Sequence, residues 1–160
     1  MWQIEARAFR IRFTPFTHNF WVLVSPDGQW GGQLHGLAVD PITQKRYAFG
    51  TSHHLLHAVS DAQIPWSMQL GQKITVCEVG SEVEIYKRWQ TALVAIPLIN
   101  ALNLAYPDLW QHPYRPNSNS IFSTFGLLMG FSAPETLLPT WAIGSYRNLM
   151  PEIAKLDHRV

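Results

Sequence analysis

Charge is scarce in this 160-residue chain: Asp, Glu, Lys and Arg make up 14% of it, against about a quarter in an ordinary soluble domain. The formal net charge is +1, too small to hold a nucleic-acid backbone or an acidic lipid surface by electrostatics. The basic pairs Lys45-Arg46 and Lys87-Arg88 are too sparse for a nucleic-acid footprint. One cysteine, Cys77, excludes an internal disulfide and any multi-cysteine zinc or iron–sulfur site. Long apolar runs are missing too. The stretch from Ala92 to Ala105 is broken by Pro97, Asn100 and Asn103 and falls short of the ~20 apolar residues of a membrane span, so no integral membrane segment is expected. The first residues, Met1 to Arg7, form no apolar leader with a small-residue cleavage site. The expected location is therefore cytoplasmic as synthesised, with export through a specialised secretion system left open.

What is present is apolar and aromatic. Hydrophobic residues are 47% of the chain, which excludes disorder and allows a real core. Seven Trp, five Tyr and eight Phe make it aromatic-rich. No repeat, low-complexity tract or linker divides it, and the length fits one domain over residues 1–160.

The first half reads as β. Trp2, Ile4, Ala6 and Ala8 alternate, and then Phe9, Ile11 and Phe13 alternate in the opposite phase, a shift that predicts a β-bulge. Residues 18–24 alternate as a second strand. Ser25-Pro26-Asp27-Gly28 has the residues of a tight turn, and Gln33 to Val39 reads as the return strand. Arg46 to Phe49 and Lys73 to Val79 are further strand candidates. His53 and His57 sit at the spacing of one helical face, but without the glutamate or third ligand of a metal motif, and they read as a helix end. Gly31-Gly32 lacks the surroundings of a phosphate loop, and no cofactor is implied.

The second half reads as α. Ser81-Glu82-Val83-Glu84 is a capping box, predicting a helix from about Glu82 with Val83, Tyr86, Trp89, Leu93 and Ile96 buried and a kink or end at Pro97. Tyr106 to Pro116 holds three prolines and reads as a loop. A second helix is predicted from Ser118, with Ile121, Phe122, Phe125, Leu128 and Met129 at helical spacing and Gly130 as its cap. A short helix is expected after Pro151. The fold class is α+β, an antiparallel sheet packed against helices.

Two segments can carry chemistry. Asn117-Ser118-Asn119-Ser120 opens an apolar helix, where unpaired N–H groups and the helix dipole would stabilise an anion on Ser118 and an oxyanion beside it. The same residue types are favoured helix caps, so the run also reads as a mere helix start. The hairpin carries His18 on one strand and His35 on the next. A two- or four-residue turn places both on one face, the arrangement of a base held by an orienting partner; a three-residue turn would separate them.

A histidine-bearing hairpin followed by an Asn-nucleophile-Asn-Ser-Ile-Phe run at a helix start resembles the circularly permuted papain-like domains, relatives of the NlpC-type cell-wall peptidases and the lecithin retinol acyltransferase-like proteins. The resemblance spans about Thr17 to Gly130 and rests on Asn117 to Phe122 and His18. It implies a papain-like frame and a hydrolase or acyl-transfer activity. It places the nucleophile on Ser118, the base on His18 and the orienter on His35. Backbone N–H groups of Ser118 to Ser120, with Asn117 or Asn119, would then bind the oxyanion. The implied substrates are an amide or peptide bond, as in peptidoglycan, or a lipid ester. In use as a secreted bacterial toxin, an immunity protein would be the partner.

This chain departs from that pattern in having Ser118 where the family has cysteine. A thiol is partly ionised near neutral pH and a hydroxyl is not, so Ser118 depends on His18 for proton removal. The alternative is a non-catalytic binding or interaction domain on the same frame. His112, in the proline-rich loop just before Ser118, could line the same cleft, but reads first as a surface-loop residue.

Overall fold

The first hairpin sets the register for everything else. β1 (Trp2–Arg10) pairs antiparallel with β2 (Thr17–Val24), from Gln3↔Val24 to Arg10↔Thr17 without a break. The bulge expected at Phe9 is therefore absent. The change of apolar phase has another cause: both faces of the sheet are buried. Ile4, Ala6 and Ala8 join the core under the helices, while Phe9 packs with Phe20, Val22 and Val24 on the opposite face. Ile11 lies beyond the strand, and Phe13 turns the chain at φ 63°. A register shift does occur on the other edge of β1, between Ile4 and Glu5, where β6 (Lys73–Gly80) pairs.

In this computed structural model, which describes residues 1–61 and 64–157, three more strands complete the sheet: β3 (Trp30–Val39), β4 (Arg46–Tyr47) and β5 (Leu55–Asp61). The order is β4-β3-β2-β1-β6, with β5 also on β3. Ala38 and Val39 of β3 pair with both β4 and β5, and Gln33 and Leu34 with both β2 and β5. Hence β2 and β4 lie end to end along one edge of β3, and β5 takes the other. Between the pairs Trp21↔Leu34 and Ala38↔Tyr47, residues 35–37 of β3 have no ladder partner on that shared edge. The sheet has a window there.

Strand β5 corrects the helical reading of His53 to His57. His57 lies in the strand, and His53 precedes it. Leu56 and Ala58 face the helices and Val59 the other side, so burial on both faces hid the strand's period of two.

Helix α1 (Glu82–Ala101) starts at the predicted capping box. It runs through Pro97, which only removes one i→i−4 donor. Its buried stripe is Ile85, Trp89, Ala92, Ala95 and Ile99, and Val83 is exposed. Helix α2 (Ser118–Leu128) ends as predicted at Gly130, whose φ of 91° suits glycine. The bonds Phe131 N–H to Gly126 carbonyl and Gly130 N–H to Leu127 carbonyl form a Schellman cap. Helix α3 (Met150–Asp157) supplies the expected short C-terminal helix. Among the described residues no helix is long and apolar enough to cross a membrane. The described residues thus form an α+β fold, with an antiparallel six-stranded sheet and three α-helices.

α2 is fastened to the middle of the sheet. Trp21 of β2 stacks on Phe122 at 4.6 Å and donates its indole N–H to the Phe122 carbonyl at 2.9 Å. This contact places the first turn of α2 over the window in β3.

Candidate active site

The observed register extends to put His18 across from Leu37, so His18 and His35 share a face. The structure brings them together: His18 Nε2 lies 3.0 Å from His35 Nδ1. His35 Nε2 is 2.9 Å from Gln33 Oε1, which also accepts from the Ser67 hydroxyl at 2.5 Å. Either His18 Nε2 or His35 Nδ1 carries the proton shared between the two rings, and the Ala48 carbonyl also interacts with the His18 ring.

Apolar and aromatic groups enclose this chain of polar atoms. His35 stacks on Phe20 at 4.6 Å, His18 lies against Phe9 at 5.1 Å, and Trp66 sits over both imidazoles. Both histidines are fully buried. Burial lowers the His18 pKa to about 3, with the Ala48 carbonyl partly opposing. Burial, and then the neighbouring His18, hold His35 well below its ordinary value. Both rings are neutral at neutral pH.

The tip of α2 lands on the same two strands. A Cβ built on Gly36 would come within 2.6 Å of the Ser118 carbonyl oxygen and 2.8 Å of its Cα, so only glycine next to His35 allows this approach. Asn119 Oδ1 accepts from the Asn19 N–H at 3.0 Å, and its amide donates to the Thr17 carbonyl at 3.0 Å. One side chain thus replaces a missing strand neighbour on both sides of His18. Because strand neighbours alternate, the imidazoles stand on the Phe9 and Phe20 face, and Ser118 approaches from the helical face at the window.

Ser118 does not hydrogen-bond to His18. Its Oγ lies 3.2 Å from the Tyr106 hydroxyl, and the expected direct Ser118–His18 bond is corrected accordingly. The expected oxyanion donors are corrected as well. Asn117 Oδ1 accepts from the N–H groups of Asn119 and Ser120, at 2.9 and 3.4 Å. The Asn117 amide donates to Ile143 O at 3.0 Å, and Ser120 Oγ donates to Gly144 O at 2.9 Å. Capping and anchoring have taken these groups, because a buried helix end must satisfy its own donors first. The Ser118 N–H stands outside the Asn117 cap.

Tyr106 and His112 complete the surroundings of Ser118. Burial pushes the Tyr106 phenol up to about 12, partly opposed by the Ser118 hydroxyl and N–H. His112 stacks on Phe49 at 4.8 Å and meets Tyr106 edge-on at 5.5 Å. Its Nδ1 accepts from the Asn117 amide at 3.2 Å, leaving a buried, unpartnered Nε2. Burial also lowers the His112 pKa, with the Pro107 carbonyl and Asp108 opposing. Sequence reading missed Gln33, Ser67, Trp66 and Tyr106 in this site. Gln33, two residues before His35 and so on its face, had a signal in the strand alternation. Tyr106, Trp66 and Ser67 reach the site from loops through long-range packing and had none.

The site is that of an α+β protein in which a polar helix tip closes a gap in an antiparallel sheet beside a buried histidine pair. Neither family models, nor curated proteins, nor solved structures gave a match to this chain. Among the described residues no group of three or more His, Cys, Asp or Glu could hold a metal ion.

Proposed function

We propose that this protein is a hydrolase or acyl-transfer enzyme of permuted papain-like design, acting on an amide, peptide or lipid ester bond. The observation that carries the reading is the His18 imidazole. It pairs through Nε2 with His35 Nδ1 at 3.0 Å and sits on a strand clamped on both sides to the helix tip that bears Ser118. In this reading Ser118 Oγ attacks the acyl carbon after turning from Tyr106 toward the window. His18 takes the Oγ proton and returns it to the leaving group, and His35, held by Gln33, orients the His18 ring. Ser118 and His18 approach the gap from opposite faces of the sheet, so this role requires both side chains to turn into it when substrate binds.

A serine-directed fluorophosphonate applied to the full chain tests the proposal. Covalent labelling of the wild type, its loss in Ser118→Ala and a strong reduction in His18→Phe are the expected results. Labelling that persists in Ser118→Ala would refute the assignment.

A second reading is favoured by the Ser118–Tyr106 bond and the satisfied cap: a binding domain in which the helix tip is only architecture. It predicts no labelling of the wild type and no gain of thiol reactivity at neutral pH in Ser118→Cys.

A further inference from the structure

We infer that the open end of the sheet's helical face is a binding site for a small organic acid. Its carboxylate or phosphate ester lies between Arg10 and Lys73, and its apolar part lies along Trp141. The site uses neither Ser118 nor His18 and stands apart from the hydrolase reading.

The strand pattern puts the two cations together. Ala6 and Ala8 of β1 pack under the helices, and Arg10 continues their alternation on that face. Ala8 pairs with Lys73 at the start of β6, and Arg10 pairs with Thr17 at the start of β2, so Lys73 and Thr17 share the face. Between these strand ends, the loop at Gln69 to Gln72 and the segment 139–141 lies a cleft of about 510 Å³. No residue of α1, α2 or α3 lines it. The segment 139–141 is held across it by the Thr17 N–H, which donates to the Trp141 carbonyl at 3.1 Å.

The cleft is cationic and holds no counter-charge. Arg10 and Lys73 line it, and no Asp or Glu does. Arg10 Nε donates to the Thr14 carbonyl at 2.8 Å, which fixes the guanidinium. Among the described residues neither its Nη groups nor the Lys73 ammonium has a hydrogen-bond or ion-pair partner. In a chain of net charge +1, two unopposed cations in one concave site mark a local preference for an anion. A guanidinium fork and an ammonium suit the oxygens of a carboxylate or phosphate.

The other half of the ligand follows from what adjoins the cleft. Thr140 and Trp141 also line a hollow of about 490 Å³, whose other walls are Phe16, Pro113, Ala142, Ile143 and Tyr146. No charged residue lines this hollow. The Trp141 side chain, common to both, is 71% exposed and offers its ring as a surface. A ligand that spans the two needs an acid head and an apolar body able to lie on the indole.

Isothermal titration calorimetry of the full chain with octyl phosphate and with octanoate, below micelle-forming concentrations, tests the site. At least one is expected to bind once per chain, and more weakly at high salt; the tighter of the two identifies the head group. Arg10→Gln and Lys73→Gln are each expected to weaken that binding about tenfold, and Trp141→Ala several-fold. A thermal melt verifies that each variant is folded. Octanol, with the chain but no charge, is expected to bind at least about tenfold more weakly. Absence of binding by both acids, unchanged affinity in either Gln variant, or octanol binding as tightly as the acids overturns the site. Inorganic phosphate or acetate binding as tightly as its octyl counterpart overturns the apolar half. None of these outcomes depends on fluorophosphonate labelling of Ser118, so this site and the hydrolase reading fail separately.

Discussion

Acid should unfold this protein through His18 and His35. Both imidazoles are neutral in the folded state, one with a pKa of about 3 and the other held well below 6.5, because full burial penalises the cation. In the unfolded chain both return to about 6.5 and take up protons as the pH falls. The folded state then binds fewer protons than the unfolded one, so stability is fully present above pH 6.5 and lost below it, continuing down toward the folded pKa values. For His18 alone the loss by pH 5 is about 2 kcal/mol, and His35 adds to it in the same direction. That is a substantial part of the ~5–15 kcal/mol that holds a typical domain folded. His57 and His112 also have lowered pKa values from burial, so the contribution of the pair must be isolated by difference. The double variant His18→Phe/His35→Leu puts apolar rings and branches among Phe9, Phe20 and Trp66 and removes both titrating groups. Urea unfolding of the two proteins from pH 8 to pH 5 should show the wild type losing at least about 2 kcal/mol more than the variant. Parallel pH profiles would refute the claim that the pair is buried and neutral.

Two substitutions test how the helix tip is seated. Gly36→Ala pushes a methyl group against Ser118 backbone, which cannot yield as a flexible side chain would, and should destabilise the fold by about 2–3 kcal/mol in chemical denaturation. Asn117→Ala removes a cap accepting from two N–H groups and strips a partner from Ile143 O and His112 Nδ1. A loss of about 2–3 kcal/mol is expected, and hydrogen exchange at the Asn119 and Ser120 amides should accelerate.

Much of the architecture is written locally. The Ser81–Glu84 box, the Asn117 start of α2 and the Gly130 cap are short-range hydrogen-bonding patterns, and all three lie where the chain signals them. Strand periodicity reduced the placement of His18 and His35 to two choices, one face or opposite faces, and the β2–β3 register decided for one face. The same signal failed for β5 and misplaced a bulge in β1, because strands buried on both faces lose their alternation of apolar and polar residues.

The candidate site divides along the same line. Local chemistry marked Ser118 and its neighbours as a helix opening and left its use undecided between cap and catalysis. The tertiary structure resolved the hydrogen bonds: it gave the tip's amides to Asn117, turned Asn119 into a surrogate strand for β2, and set Tyr106 rather than His18 against the serine. No window of sequence contains those outcomes. Each depends on which buried donors and acceptors from distant segments come within about 3 Å of one another, and that is decided only when the helix closes the gap in the sheet.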